Sequence, residues 1–112
     1  MQETPEGILV TPPRELHWTP FNFLSLPEDK CALERSRVVL IPVPYDSTTS
    51  YRTGAREGPM AILKASSGLE DYDYDLDIDV SGVGIHTSPF LDPHMGGPLP
   101  MIERIQEAVH SY

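Results

Sequence analysis

Val38-Val39-Leu40-Ile41, followed at once by Pro42-Val43-Pro44, is the stretch that most constrains how this chain can fold. Consecutive aliphatic residues without polar alternation suit a strand covered on both faces in a parallel sheet. Proline cannot donate to a ladder, so regular pairing is expected to stop at Pro42. The residues that follow are Ser, Thr, Tyr, Arg and Gly with no period, which reads as a long polar loop. Gly58-Pro59 then opens a helix, because proline fits the first helical turn. A strand, a loop and a helix in this order form the first half of a βαβ unit, so the expected class is α/β.

The helix from Gly58 places Ala61, Ile62, Ala65, Gly68 and Leu69 on one stripe, which predicts its buried face. Beyond it, Tyr72, Tyr74, Leu76, Ile78 and Val80 alternate with Asp73, Asp75, Asp77 and Asp79. That period predicts one half-buried strand with an acidic, solvated side. A calcium loop does not fit, since neither the central glycine nor the closing glutamate has the required offset. Ser81 to Thr87 allows another short strand. His86 and His94, with Asp92 near the latter, lie in a Pro- and Gly-rich region. They match no closed metal motif and read as polar loop histidines. Met101, Ile102, Ile105, Ala108 and Val109 predict an amphipathic helix beginning near Pro98 or Pro100.

Residues 1–35 read as an extended, proline-rich arm and 36–112 as the α/β part. Pro5, Pro12, Pro13, Pro20 and Pro27 interrupt every helical pattern in the arm. Leu16, Trp18, Phe21, Phe23, Leu24 and Leu26 make it too apolar for a free tail, and the aromatic residues read as anchors rather than a ligand-stacking patch. The net charge of -9 argues against nucleic acid and anionic membranes, which need clustered Lys and Arg. No apolar run is long enough for a membrane span, and the acidic N-terminus has no signal-peptide core. Cys31 is the single cysteine, which excludes an internal disulfide and fits a reducing cytoplasm.

The segment Pro42-Val43-Pro44-Tyr45-Asp46-Ser47-Thr48-Thr49-Ser50-Tyr51-Arg52-Thr53-Gly54-Ala55-Arg56-Glu57-Gly58-Pro59-Met60-Ala61-Ile62 resembles the first strand, loop and helix of the ureohydrolase family, the agmatinases and arginases. Asp46, Ser50, Tyr51, Arg52, Gly54, Ala55, Arg56, Gly58, Pro59, Ala61 and Ile62 match that pattern as they stand. Thr48, Thr53 and Glu57 depart from it. The resemblance runs through Leu69-Glu70-Asp71-Tyr72-Asp73 and the final helix, over roughly 36–112. It implies the N-terminal part of a three-layer α/β/α parallel-sheet fold, arginase-like and incomplete in this chain.

It also implies hydrolysis of a small guanidinium substrate, agmatine to putrescine and urea, by a complete protein that holds two manganese ions and forms a trimer or hexamer. Arginine, guanidinobutyrate and formimidoylglutamate are the other substrates the shared pattern allows. The family's metal ligands lie in three motifs, G-G-D-H-S, D-A-H-x-D and S-x-D-x-D-x-x-D-P, and none occurs here. No catalytic residue and no metal ligand is therefore assigned. Asp46, Ser50, Tyr51, Arg52 and Arg56 are the candidate site residues, on a loop near an active-site mouth or at a subunit contact. Asp46 is expected to pin the loop. The alternative reading is a short, non-catalytic product that acts only by packing or association. The strand at 38–41, isolated with so few partners, predicts a chain that alone is aggregated, molten or oligomeric.

Overall fold

The computed structural model describes residues 2–3, 9–10 and 20–112. Strands β1 (Gln2–Glu3) and β2 (Leu9–Val10) pair antiparallel with each other. Leu16 and Trp18, expected as anchors of the arm, lie outside the described residues. From Pro20 the arm is not extended as its prolines suggest. It winds into a 3-10 turn at Phe23–Ser25, helix α1 (Glu28–Cys31) and a second 3-10 turn at Leu33–Arg35. Buried Asn22 closes the first of these. Its Oδ1 accepts from Leu26 N–H at 2.7 Å, and its Nδ2 donates to the Leu26 carbonyl at 3.1 Å. Leu24 and Ser25 have positive φ, and Leu24 N–H is fixed by donating to Ser66 Oγ. Proline stops a long helix but not single turns closed by a side chain, which is why the composition misleads here.

Strand β3 (Val38–Leu40) is followed by helix α2 (Gly58–Ser66), then β4 (Tyr72–Asp73), β5 (Ile78–Asp79), β6 (Ile85–Thr87) and helix α3 (Pro98–His110). β3 and β6 run parallel, with Val38 opposite Ile85, Val39 opposite His86 and Leu40 opposite Thr87. The α/β reading holds. Regular pairing ends before Pro42, yet the Pro42 carbonyl still accepts from Leu91 N–H, a role proline retains. Cover on both faces is not realised: Val38 is exposed, and Val39, Leu40 and Ile41 are half-buried. Among the described residues a single strand flanks β3.

Three further expectations need correction. Helix α2 ends at Ser66, and it buries Leu63 and Ser66, not Ala61, Ile62, Ala65, Gly68 and Leu69. The face is chosen by the arm: α2 packs on the Phe23–Ser25 turn, and Ser66 Oγ serves that turn's backbone. The acidic stretch is a hairpin of β4 and β5, not one strand. Asp73 Oδ1 accepts from the amides of Asp75 and Leu76, and Asp77 sits at φ 55°. An aspartate that turns the backbone on itself overrides alternation. Consequently Tyr72, Tyr74, Leu76, Ile78 and Val80 are all exposed. His86, finally, is no loop residue: it lies in β6 and is 1% exposed.

The core is small and half polar. Among the described residues, Leu26, Cys31, Ala32, Leu63 and Met101 are buried apolar residues, with Pro42, beside buried Asn22, Asp46, Ser66, Ser81, His86, Thr87 and Ser88. Most of the polar ones have hydrogen-bond partners, as buried polar groups must. Thr87 Oγ1 takes Phe23 N–H, Ser66 Oγ donates to the Leu63 carbonyl, and Ser81 Oγ bonds to Asp79 and Asp71. Helix α3 begins at Pro98, as its proline signals, and buries Met101, while Ile102 and Val109 stay exposed. No helix among the described residues is long and apolar enough to cross a membrane.

Candidate functional site

The loop that leaves the C-terminal end of β3 is organised by one carboxylate. Asp46 is 5% exposed, and its two oxygens divide the work. Oδ2 accepts from the backbone amides of Gly54 at 2.7 Å and Arg56 at 3.1 Å. Oδ1 accepts from the Arg56 side chain, with Nε and Nη2 each at 2.8 Å. Charge-assisted bonds of this kind are short and directional. They draw the two ends of the loop together across the residues 47–53. The Asp46 carbonyl adds a turn by accepting from Thr49 N–H, and Glu57 N–H closes on the Gly54 carbonyl. Gly54 stands at φ 146°, where a side chain is strained even though a Cβ would meet nothing within 4 Å. The backbone, not crowding, asks for glycine there.

The Arg56 guanidinium, then the Gly54 amide, hold the Asp46 carboxyl down at about 2, against an ordinary 3.8. Asp46 in turn raises the Arg56 pKa. A carboxylate favoured in its charged form stabilises the loop fully above its unfolded pKa and ceases to do so on protonation. The loop is therefore expected to keep its form above pH 3.8 and to loosen as the pH falls through about 2. The check is an NMR titration of the Gly54 and Arg56 amides: both should move together with a midpoint near that value. Movement near the ordinary carboxylate pKa would contradict the clamp.

Of the candidate residues, the structure brings Asp46 and Arg56 together as the expected pin. Ser50, Tyr51 and Arg52 are left on the outer side of the loop, all exposed. Tyr51 is 87% exposed, and the Arg52 guanidinium carbon lies 5.4 Å from its ring centroid. Neighbouring exposed residues in that arrangement form a weak cation–π pair. The histidines do not converge. His86 Nδ1 is 2.9 Å from the Cys31 carbonyl, which can only accept, so Nδ1 is the donor of this bond. His86 Nε2 and the Tyr45 hydroxyl are buried without a hydrogen-bond partner among the described residues. The sequence does not mark His86 for burial, because the Cys31 carbonyl that meets it is 55 residues away. His94 Nδ1 accepts from Gly96 N–H within its own turn, the local role its surroundings suggest. Among the described residues, no three of His, Cys, Asp and Glu are grouped so as to hold a metal ion.

The sequence profile of the Arginase family matches residues 36–112. The N(1)-aminopropylagmatine ureohydrolase of a Thermus thermophilus strain is 39% identical over 83 residues, covering 74% of this chain and 26% of the relative. The N(1)-aminopropylagmatine ureohydrolase of Synechocystis is 58% identical over 36 residues, 32% of this chain and 12% of the relative. The agmatinase of Bacillus subtilis is 35% identical over 78 residues, 70% of this chain and 27% of the relative. The chain thus spans about a quarter or less of the lengths of these relatives. No solved structure matches it significantly.

Proposed function

The chain belongs to the arginase family, and from that premise we propose that it forms the first βα portion of a guanidino hydrolase acting on agmatine or N(1)-aminopropylagmatine. In that reaction water adds to the guanidinium carbon and the bond from that carbon to the alkyl-bearing nitrogen breaks. Urea leaves, and the amine takes the proton; with agmatine that amine is putrescine. The observation that carries the reading is the Asp46–Arg56 clamp. It is built from the residues that match the family pattern, and it fixes the loop at the C-terminal end of β3. Open α/β sheets gather their ligands at that end.

In this reading Asp46 and Arg56 position the loop, and Ser50, Tyr51 and Arg52 stand at the mouth of the site or against a neighbouring subunit of a trimer or hexamer. Two manganese ions, as the resemblance implies, would activate the water in the complete enzyme. The described residues do not fit such a pair, so no step is assigned to a metal on this chain.

The test compares the chain alone with the chain joined to the remaining portion of the Thermus relative. After dialysis against manganese, the chain alone is expected to hold no tight metal pair and to release no urea from agmatine, N(1)-aminopropylagmatine or arginine. The joined protein is expected to gain both properties, with arginine the poorest substrate. Urea release by the chain alone would overturn the reading. So would a folded joined protein that hydrolyses none of the substrates.

A further inference from the structure

We propose that the segment from Asn22 to Cys31 is a strap that rounds the outer edge of β6 and keeps that edge from pairing with the β6 of a second copy. In a parallel ladder, alternate residues turn both their N–H and C=O to the same neighbour. The Gly84 carbonyl and the Ser88 amide both bond to β3, so His86 between them faces β3 as well. Ile85 and Thr87 therefore turn their amide groups outward, and among the described residues no strand pairs with them. What lies there is the arm. Phe23 N–H donates to Thr87 Oγ1 at 3.0 Å, and Leu24 N–H to Ser66 Oγ at 2.9 Å. The Cys31 carbonyl meets His86 Nδ1 at 2.9 Å. Successive side chains of a strand point to opposite faces, so Thr87 and His86 mark the two faces of the sheet. The arm thus touches one face at Phe23 and the other at Cys31. β3 fills the inner edge of β6, which leaves the outer edge for residues 24–30 to cross.

The strap is fastened at both ends and strained between them. Buried Asn22 bonds to both the amide and the carbonyl of Leu26, and Lys30 Nζ meets Asp79 Oδ2 of the hairpin at 2.8 Å. Leu24 and Ser25 hold positive φ, which residues with side chains adopt only where their surroundings impose it. Single turns of this kind cover the edge without extending the sheet, which is one way native edges are blunted. The edge needs cover because of its composition. Residues 81–91, Ser-Gly-Val-Gly-Ile-His-Thr-Ser-Pro-Phe-Leu, contain no Asp, Glu, Lys or Arg, in a chain of net charge -9. Elsewhere that charge makes copies repel one another. Here two copies can meet without like charges, and the outward amide groups of Ile85 and Thr87 are self-complementary across a two-fold axis. A second copy is therefore the occupant that the strap excludes.

The experiment loosens the strap in the full chain with Ser66→Ala and Thr87→Val, which remove the acceptors of Leu24 and Phe23 N–H. Sedimentation equilibrium over a concentration series and amide exchange are the measurements. The loosened chain is expected to dimerise on the order of tenfold more tightly than the wild type, and its Ile85 and Thr87 amides to slow about a hundredfold as the concentration rises. Ile62, Leu76 and Ile102 stay exposed in every variant, so association through them is common to all. Ile85→Pro, added to the loosened chain, removes only an outward amide, where edge strands tolerate proline, and is expected to restore wild-type sedimentation. Val83→Asp, at an exposed side chain beside the edge, adds a like charge to each copy and is expected to do the same with the backbone intact. Slow exchange at Leu40 and His86 shows that a variant has kept the β3–β6 pair; where the double substitution loses it, Ser66→Ala alone is expected to shift the dimer in the same direction. A loosened chain that sediments as the wild type overturns the proposal. So does a dimer that survives both Ile85→Pro and Val83→Asp, or a Leu24 amide that exchanges no faster without Ser66 Oγ. Concentration-dependent slowing of Ile85 and Thr87 in the wild type also overturns it, since the strap would then leave the edge open.

Discussion

Gly84→Ala is expected to unfold this chain at room temperature, or to destabilise it by roughly 3–4 kcal/mol, where Gly82→Ala is nearly neutral. A Cβ on Gly84 would stand 2.4 Å from the Arg35 carbonyl oxygen and 2.8 Å from Ser36 Cα, both backbone atoms that cannot rotate away. The residue also sits at φ 81° and ψ 117°, a region that L side chains rarely adopt. Relief would require moving the Arg35–Arg37 segment. That segment is the entry to β3, since Arg37 and Val38 N–H both donate to the Gly84 carbonyl. Strain at Gly84 therefore reaches the parallel pair of β3 and β6. At Gly82 a Cβ meets nothing within 4 Å. Urea denaturation of the two variants side by side is the measurement. Equal midpoints would mean that the close approach of 35–36 to 84 is not part of the native chain.

Asp46→Ala is expected to release the loop while leaving β3, β6 and the helices in place. The substitution removes the acceptor for two backbone amides and for the Arg56 fork at once. Gly54 then loses the bond that its amide makes to Asp46 and keeps the one that its carbonyl accepts from Glu57 N–H. Trypsin cleavage after Arg52 and Arg56 is expected to accelerate on the order of tenfold, with far-UV circular dichroism unchanged. Asp46→Asn should fall between, because an amide oxygen still serves the backbone donors but no longer attracts the guanidinium. Arg56→Lys should also loosen the loop, since a lysine cannot place two nitrogens on one carboxylate oxygen. If Arg56→Ala in the joined, active protein changed only the Michaelis constant and left proteolysis untouched, Arg56 would face the substrate rather than hold the loop.

Along the chain, much of what depends on neighbouring residues was legible. The aliphatic run at 38–41, the proline stop and the Gly58-Pro59 start fix a strand, a loop and a helix, and each appears where local chemistry puts it. The amphipathic helix from Pro98 is of the same kind. So is the pin of Asp46 on Arg56, whose partners lie only ten residues apart. Local bonding also explains the failure at 72–80. Alternation describes side-chain faces, but Asp73 spends its carboxylate on the backbone amides of Asp75 and Leu76, and a turn replaces the strand.

Only tertiary structure decided the rest, because it depends on which distant surfaces meet. The face of α2 is set by a turn 42 residues earlier, through Ser66 and Leu24. His86 is buried by Cys31, 55 residues before it, and Thr87 by Phe23, 64 residues before it. Periodicity reports that a helix or strand has an apolar side; it carries no information on what arrives to cover it. The same physics leaves the outer amides of Val39 and Ile41 facing outward. Their direction follows from the register with β6, and no property of the four aliphatic residues themselves could have announced it.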